Sequence, residues 1–252
     1  MKGSFAGKRI IVTGAASGIG LACVRSLVDR DAVVGCLDHD GGALRALAAW
    51  SEERIVPFEV DITVSAEIDA AVSRFANDRG GIDGVINSAG IDLLAQVEET
   101  SDAEWRRIMA VNLDGPMHVC RAALPYLRRS GGGAIVNISS GAGLQPLLHR
   151  AAYSASKAAL QMFSKSLAME GAAFGVRVNC VCPGAVDTPL FRGSLDTADD
   201  PAAELEKVNA RYALKRIAQP EEIAAAVLWL LGEEASYVTG TAMAVDGGRT
   251  FH

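Results

Sequence analysis

The chain has 252 residues, 50% of them hydrophobic and 21% charged, with a formal net charge of -6. That length and apolar share suit a single α/β domain with a core covered on both faces, while the mild acidity argues against nucleic acid, whose phosphates need clustered Lys and Arg. No apolar run of about 18 residues is present and polar residues break up the start MKGSFAGKRI, so neither a membrane span nor a secretory leader is expected and the chain reads as cytoplasmic.

In chain order, the apolar run RIIVTG leads directly into TGAASGIG (13–20) and then into the helical stretch GLACVRSLVDR. Gly14, Gly18 and Gly20 follow a G-x-x-x-G-x-G spacing. Glycines at a strand-to-helix turn let backbone N–H groups approach a pyrophosphate seated on the helix N-terminus. A glycine pattern alone is a weak signal, but its place between a strand and an amphipathic helix is what that mechanism demands. The second run, AVVGCLD, ends at Asp38. A carboxylate about twenty residues beyond the glycine turn accepts hydrogen bonds from both ribose hydroxyls of an adenosine, and it repels a 2′-phosphate. Ser17 and His39 stand where a phosphate-binding Arg or Lys would be, so NAD is expected over NADP.

RIVPFEVD brings Asp61, with Ile62 beside it, to the adenine side of such a ligand, and GVINSAG places Asn87, Ser88, Ala89 and Gly90 beneath the adenosine ribose. IDLL (91–94) follows, and DAEWRRIMAVNLDGPMHVCRAALPYLRR reads as one long helix carrying Asn112. A mid-helix Asn is solvated, bonded to the preceding turn, or functional. GAIVNISS ends at Ser139 and Ser140, whose side chains diverge at a strand end. After GLQPLLHR (143–150) comes AAYSASKAALQMFSKSLAME, in which Tyr153 and Lys157 share a helix face. They are an exposed aromatic and a solvated charge, or a proton-transfer pair. A free phenol is a poor base at neutral pH. An adjacent ammonium, or a positive nicotinamide, stabilises the phenolate and makes it a general acid–base.

VRVNCVCPG is the sixth strand, in which Cys180 and Cys182 alternate as packing residues and Pro183–Gly184 closes the run. Five cysteines, an odd number at irregular spacing, suit reduced thiols rather than a disulfide framework. The stretch 190–215, crowded with acidic and small polar residues, reads as irregular: a substrate lid inserted in the domain, or a solvated helical hairpin. AVLWLL (226–231) and the C-terminal TAMAVDGGRTFH carry apolar residues for a symmetric partner or for the chain's own core to bury. Seven apolar runs separated by helices predict a single doubly wound domain over 1–252, with a parallel sheet flanked by helices on both faces. No H-E-x-x-H or Cys/His cluster occurs, so no metal is expected; His39, His118 and His252 read as scattered surface or core residues.

TGAASGIG, NSAG, NISS, YSASK and CPGAVDTP occur in that order over nearly the whole chain, which thereby resembles the short-chain dehydrogenase/reductase family, with Ser88 replacing the second Asn of its N-N-A-G motif. The resemblance implies a Rossmann-type sheet of order 3-2-1-4-5-6-7 and hydride transfer between NAD and a secondary alcohol or ketone. It makes Tyr153 the acid–base, and Lys157 its activator and a ligand of the nicotinamide ribose. Ser140, thirteen residues before Tyr153, holds the substrate oxygen, with Ser139 orienting it or bonding the backbone. Asn112 distorts its helix and supports a water relay to Lys157. Ile19 joins the cofactor turn. Pro183 and Gly184 shape the turn beside the nicotinamide, whose carboxamide Val186 and Thr188 contact.

A pocket walled by 91–94, 143–150 and 190–215 would then offer Asp92, Leu93, Gln145, His149 and Leu190, beside Ser140 and Tyr153, to a small polyol, hydroxy acid or cyclic alcohol. Arg150 and His149 bind substrate polar groups, or face solvent or a neighbouring subunit. A homotetramer or homodimer is implied. Two other readings are a 3-oxoacyl thioester reductase of lipid synthesis, which usually prefers NADPH and is opposed by Asp38, and a non-catalytic dinucleotide-binding regulator. The latter would not require Asn112, Ser140, Tyr153 and Lys157 together.

Overall fold

The computed structural model describes residues 5–251, so His252 lies outside the described residues. Seven strands, β1 (Arg9–Thr13), β2 (Val33–Asp38), β3 (Ile55–Glu59), β4 (Gly84–Asn87), β5 (Gly133–Ile138), β6 (Val176–Pro183) and β7 (Ala242–Val245), form one sheet in the order β3-β2-β1-β4-β5-β6-β7. Every neighbouring pair is parallel. Each strand is one of the apolar runs trimmed of its turn residues. The connecting helices are α1 (Gly18–Val28), α2 (Gly41–Ala48), α3 (Ser65–Arg79), α4 (Asp102–Met109), α5 (Gly115–Arg129), α6 (Ala151–Ala172), α7 (Pro189–Leu195), α8 (Pro201–Ala210) and α9 (Pro220–Leu231).

Because successive side chains of a strand point to opposite faces, β1 feeds two cores. Ile10 and Val12 pack with Cys23 and Leu27 of α1 and Val227 of α9. Ile11 packs on the other face with Phe75 of α3 and Val119 of α5. Strand order reverses at β1, which lies between β2 and β4, so a crevice opens beyond the carboxyl ends of β1 and β4. Thr13 and Asn87 are register partners at that edge. The glycine turn follows one strand and NSAG the other.

One sequence expectation is modified, and two open alternatives are narrowed. The long helix is divided: α4 and α5 join through a π-helical turn, Ala110–Asp114, with Asn112 buried in it. AVLWLL is not a free surface, since Val227, Leu228, Leu230 and Leu231 are buried in the chain's own core and Trp229 alone among the large ones is exposed. The stretch 190–215 is largely helical. Thr188 and Asp200 cap α7 and α8 with side-chain oxygens, each followed by a proline in the first turn. α8 buries only Val208, so no apolar stripe announced it.

At the opposite edge Arg9 ties β1 to the residue before β4. Its Nε and Nη2 donate to Asp83 at 2.6 and 2.8 Å, and its backbone N–H donates to the same carboxylate at 2.8 Å. Burial opposes ionisation of Asp83, but the Arg9 hydrogen bonds overcome it and hold the carboxyl below its ordinary range. Asp83→Ala strands a mostly buried guanidinium. It is expected to lower unfolding free energy by about 2 kcal/mol in urea titration, discounted for partial exposure, with NADH binding unchanged.

Candidate active site

The crevice holds two cavities of about 460 and 470 Å³ that share Ile19, Ser88, Gly90, Thr188 and Leu190 as walls. One long ligand can therefore lie across both. Gly14, Ser17, Gly18, Ile19, Asp38, Asp61, Ile62, Ala89 and Gly90 line the first. The turn after β1 is packed so closely that side chains do not fit. Gly14 has φ +62°, and a Cβ there would lie 2.8 Å from the Ala89 nitrogen; one on Gly20 would lie 2.0 Å from the Gly14 oxygen. The Thr13 hydroxyl, unrecognised in the sequence, accepts the N–H groups of Ser88 and Ala89 at 3.1 and 3.2 Å and fastens the two turns together. Ser17 is at the N-cap of α1 and makes no capping hydrogen bond, which leaves its hydroxyl for a ligand at that helix end.

Asp38 stands at the end of β2 with its side chain 7% exposed. One oxygen accepts the Ala16 N–H at 3.0 Å, and the other accepts the Asp40 N–H at 3.1 Å with His39 Nδ1 at 3.1 Å. The carboxylate is thus fixed over the glycine turn. Asp61 accepts the backbone N–H and hydroxyl of Thr63 at 2.8 and 2.7 Å, and those bonds hold it below the usual carboxylate range. A main-chain cradle, a helix N-terminus and a strand-end carboxylate together fit a dinucleotide. Two residues expected at the cofactor, Gly20 and Asn87, do not line this cavity. Gly20 lies behind the turn, where it permits the fold of Gly14, and Asn87 lies under the sheet edge. Asn87 is 1% exposed and donates to Asn137 at 2.8 Å and toward Cys120 Sγ at 3.4 Å.

Tyr153, Lys157, Ser140, Pro183, Gly184, Val186, Thr188 and Leu190 line the second cavity. Helix α6 carries Tyr153 and Lys157 one turn apart. Lys157 is buried, its Nζ donates to the Ile138 carbonyl at 3.0 Å and lies 5.8 Å from the Tyr153 ring centroid. The Ser140 hydroxyl accepts the Ala142 N–H at 3.0 Å and lines the same cavity as the phenol. Ser139 turns the other way: it donates to the Lys157 carbonyl at 2.9 Å and accepts from Gln161 Nε2 at 3.0 Å. Gln161 also donates to the Ser140 carbonyl at 3.2 Å and so clamps the end of β5. Sequence reading passed over Gln161, although it stands on the face of Lys157 one turn later.

Burial dominates the electrostatics of this wall. Burial pushes the Tyr153 phenol up to about 12, against the lowering effect of its bond to Ser140. Burial also brings the Lys157 ammonium down to about 8. Desolvation outweighs charge attraction here, and the amine faces a carbonyl. Burial thus disfavours the charged form of both groups.

Asn112 is neither solvated nor bonded to its own helix. Its Oδ1 accepts the Ile91 N–H at 2.9 Å, and its Nδ2 donates to the Ile91 carbonyl at 2.9 Å and to Ser156 at 3.0 Å. A Cβ on Gly90 would lie 3.2 Å from both Asn112 Oδ1 and Lys157 Nζ, so the π turn and α6 meet at the turn after β4. Thr188 donates to the Val186 carbonyl and accepts the Phe191 N–H, both at 3.3 Å. Gly184 leaves room for Tyr212, whose hydroxyl accepts the Ala185 N–H at 2.7 Å.

At the outer end, Arg150 Nε pairs with Asp92 at 2.7 Å, and its Nη2 donates to Ser194 of α7 at 2.7 Å. His149 is exposed on the rim with φ +56°. Leu93 and Gln145 do not line the cavity; Leu94, Leu147 and Leu148 do. These segments lack a regular strand, so alternation gave no guide to which side chains face inward. Among the described residues no group of His, Cys, Asp and Glu could hold a metal, and no helix is long and apolar enough to cross a membrane.

The profile of a family described as enoyl-(acyl carrier protein) reductase matches residues 14–250. The chain is 38% identical to cis-4-hydroxycyclohexanecarboxylate dehydrogenase of Sinomonas cyclohexanicum, over 98% of each chain. It is also 38% identical to 2-(S)-hydroxypropyl-CoM dehydrogenase 3 of Xanthobacter autotrophicus, over 96% of each. Among solved structures it resembles L-sorbose reductase from Gluconobacter frateurii, a complex with NADPH and L-sorbose. That match has a TM-score of 0.93 and 32% identity over 99% of this chain and 98% of the other.

Proposed function

The chain belongs to the short-chain dehydrogenase/reductase family, and on that premise we propose that it interconverts a secondary alcohol and a ketone with NAD(H). The observation that carries this reading is the convergence of the Tyr153 phenol, the Ser140 hydroxyl and the Lys157 amine on one cavity wall, contiguous with the glycine cradle. When bound, the nicotinamide supplies a hydride acceptor or donor. Ser140 orients the substrate oxygen toward the phenol. Tyr153 takes the carbinol proton in oxidation and returns it in reduction. Lys157 steadies the phenolate and holds the nicotinamide ribose. Asn112 acts as a positioning residue: it fixes Ile91 and the π turn, where a water relay to Lys157 runs. Positive charge from the oxidised cofactor adds to that of Lys157, which explains how a phenol raised by burial is brought into use.

The choice of NAD rests on Asp38. Its carboxylate is pinned where a 2′-phosphate would lie, and the adjacent His39 is exposed, which leaves that phosphate without a fixed cation. NAD⁺ and NADP⁺ reduction over polyols, hydroxy acids and cyclic alcohols tests the assignment. Turnover with NAD⁺ is expected, at least about tenfold better than with NADP⁺, and Asp38→Ala should shrink that ratio about tenfold by removing one charge repulsion. Better use of NADP⁺ by the unaltered protein would overturn the cofactor choice. Helices α7 and α8 serve as the substrate lid, since Leu190, Ser194 and Val208 wall the cavity. Exposed Met162 and Met169 on α6 and Trp105 on α4 suit a homotetrameric interface. Five free, buried cysteines suit the reducing cytoplasm.

A further inference from the structure

The charged groups facing the Tyr153 cavity nearly all answer one another. Asp92 holds Arg150 at 2.7 Å, and Glu204 lies 3.6 Å from Arg211. Lys157 is committed to the Ile138 carbonyl and the catalytic wall. Arg249 is the exception. It stands in the turn after β7, lines the same cavity, is partly buried, and makes no ion pair among the described residues.

Its position is built rather than loose. The Arg249 N–H donates to the Asp246 carbonyl at 3.1 Å, and Nη2 donates to the carbonyls of Gln145 and Pro146 at 3.0 and 3.2 Å. Nη1 has no acceptor among the described residues. It lies beside Gly141, the neighbour of Ser140, because a Cβ on Gly141 would be 3.2 Å from it. A staple for two carbonyls needs donors but no charge. A fixed guanidinium with an open edge, in a cavity whose carboxylates Asp92 and Glu204 are already paired with Arg150 and Arg211, draws an anion.

Resting on the dehydrogenase reading above, we propose that Arg249 is a specificity-determining residue that binds a carboxylate carried by the substrate beyond its carbinol carbon. The substrate class is then a hydroxy acid rather than a polyol. A polyol would leave the open Nη1 edge without a counter-charge, whereas a planar carboxylate matches its geometry. Arg150 does not compete for this role, because Asp92 already neutralises it.

Matched substrates test the assignment: 3-hydroxybutanoate against 3-hydroxybutanamide, and 4-hydroxycyclohexanecarboxylate against its amide, with NAD⁺. The acids are expected to have kcat/KM about 10- to 100-fold higher, through KM, as one charged hydrogen bond gives. Arg249→Gln keeps donors for the two carbonyls and should abolish that preference while leaving the amides within about threefold. Arg249→Lys should restore part of it, and added salt should weaken it. Binding of butanoate to the enzyme–NADH complex, followed by NADH fluorescence, gives a readout without turnover and should weaken by the same factor in Arg249→Gln. Equal use of acid and amide by the unaltered protein, or equal loss on both in Arg249→Gln with unchanged butanoate affinity, would overturn the proposal. Turnover of neutral alcohols that depends on Tyr153 would in that case leave the dehydrogenase reading standing. Butanoate binding lost in Arg249→Gln, in a protein that oxidises no alcohol, would instead uphold the anion site and sink that reading.

Discussion

Tyr153→Phe is expected to lower turnover about a thousandfold, the scale of a lost general acid–base, while NADH still binds within a few-fold. The substitution removes one oxygen and keeps the ring that packs near Lys157, so α6 and the cofactor cradle should be undisturbed. What disappears is the hydroxyl on the cavity wall shared with Ser140 and, with it, the only acid–base group we assign to the substrate oxygen. The pH profile sharpens the test. Alcohol oxidation needs the phenolate, and burial holds the phenol up at about 12 before cofactor charge is added. Oxidative kcat/KM should therefore rise from pH 7 toward 8. Above that, loss of the Lys157 proton, which leaves at about 8, opposes the rise. Reduction uses the protonated phenol and should be flat near neutrality. The phenylalanine variant should lose the oxidative slope along with the rate. Turnover within tenfold of the unaltered enzyme, measured by NADH absorbance, would remove Tyr153 from its role.

The sheet was legible because a strand buried on both faces leaves little choice of residue: RIIV or VRVNCVC can hardly sit anywhere but between two helical layers. The glycine turn was legible for the opposite reason, that Gly14 and Gly20 mark contacts where no side chain fits. Order along the chain then placed Ser140, Tyr153 and Lys157 together. Helices α7 and α8 stayed open between an irregular lid and a helical hairpin, because their apolar residues face a cavity and not a core, and no period records that. Their signals were local, the Thr-Pro and Asp-Pro steps that cap them. AVLWLL stayed open between a partner and the chain's own core, because a helix buried against α1 on most sides looks, in sequence, like one awaiting a partner. The pairing of Asp92 with Arg150 was not legible at all. It joins residues 58 apart in sequence, and only their meeting cancels two charges that otherwise read as two binding groups. The same limit hid the balance at Tyr153. Spacing put an ammonium beside a phenol, but how strongly each is desolvated depends on everything packed around them.

Lys157→Met is expected to impair catalysis at least a hundredfold, by removing the charge that supports the phenolate, and yet to stabilise the cofactor-free protein at neutral pH. The amine is 4% exposed, and burial lowers its proton affinity from the ordinary 10.5 to about 8. Holding it charged at pH 7 costs the fold about 3 kcal/mol. Methionine fills a similar volume without that charge but leaves the Ile138 carbonyl unpaired, a loss of about 2 kcal/mol. The net gain at pH 7 is thus about 1 kcal/mol, a rise in Tm of roughly 2–4 °C for a chain of this size. Its sign should reverse with pH. Below about 8 the lysine is protonated in both folded and unfolded chains, and the penalty is complete. Between about 8 and 10.5 the unfolded chain keeps a proton that the folded chain has released, so the stability of the unaltered protein rises relative to the variant. By pH 10.5 the penalty is nearly gone, and the variant, still lacking the hydrogen bond, should be the less stable of the two. Thermal unfolding of both proteins at pH 7 and pH 10.5 decides the matter. A methionine variant equally destabilised at the two pH values would mean that the buried amine carries no charge to relieve, and the catalytic role of that charge would fall with it.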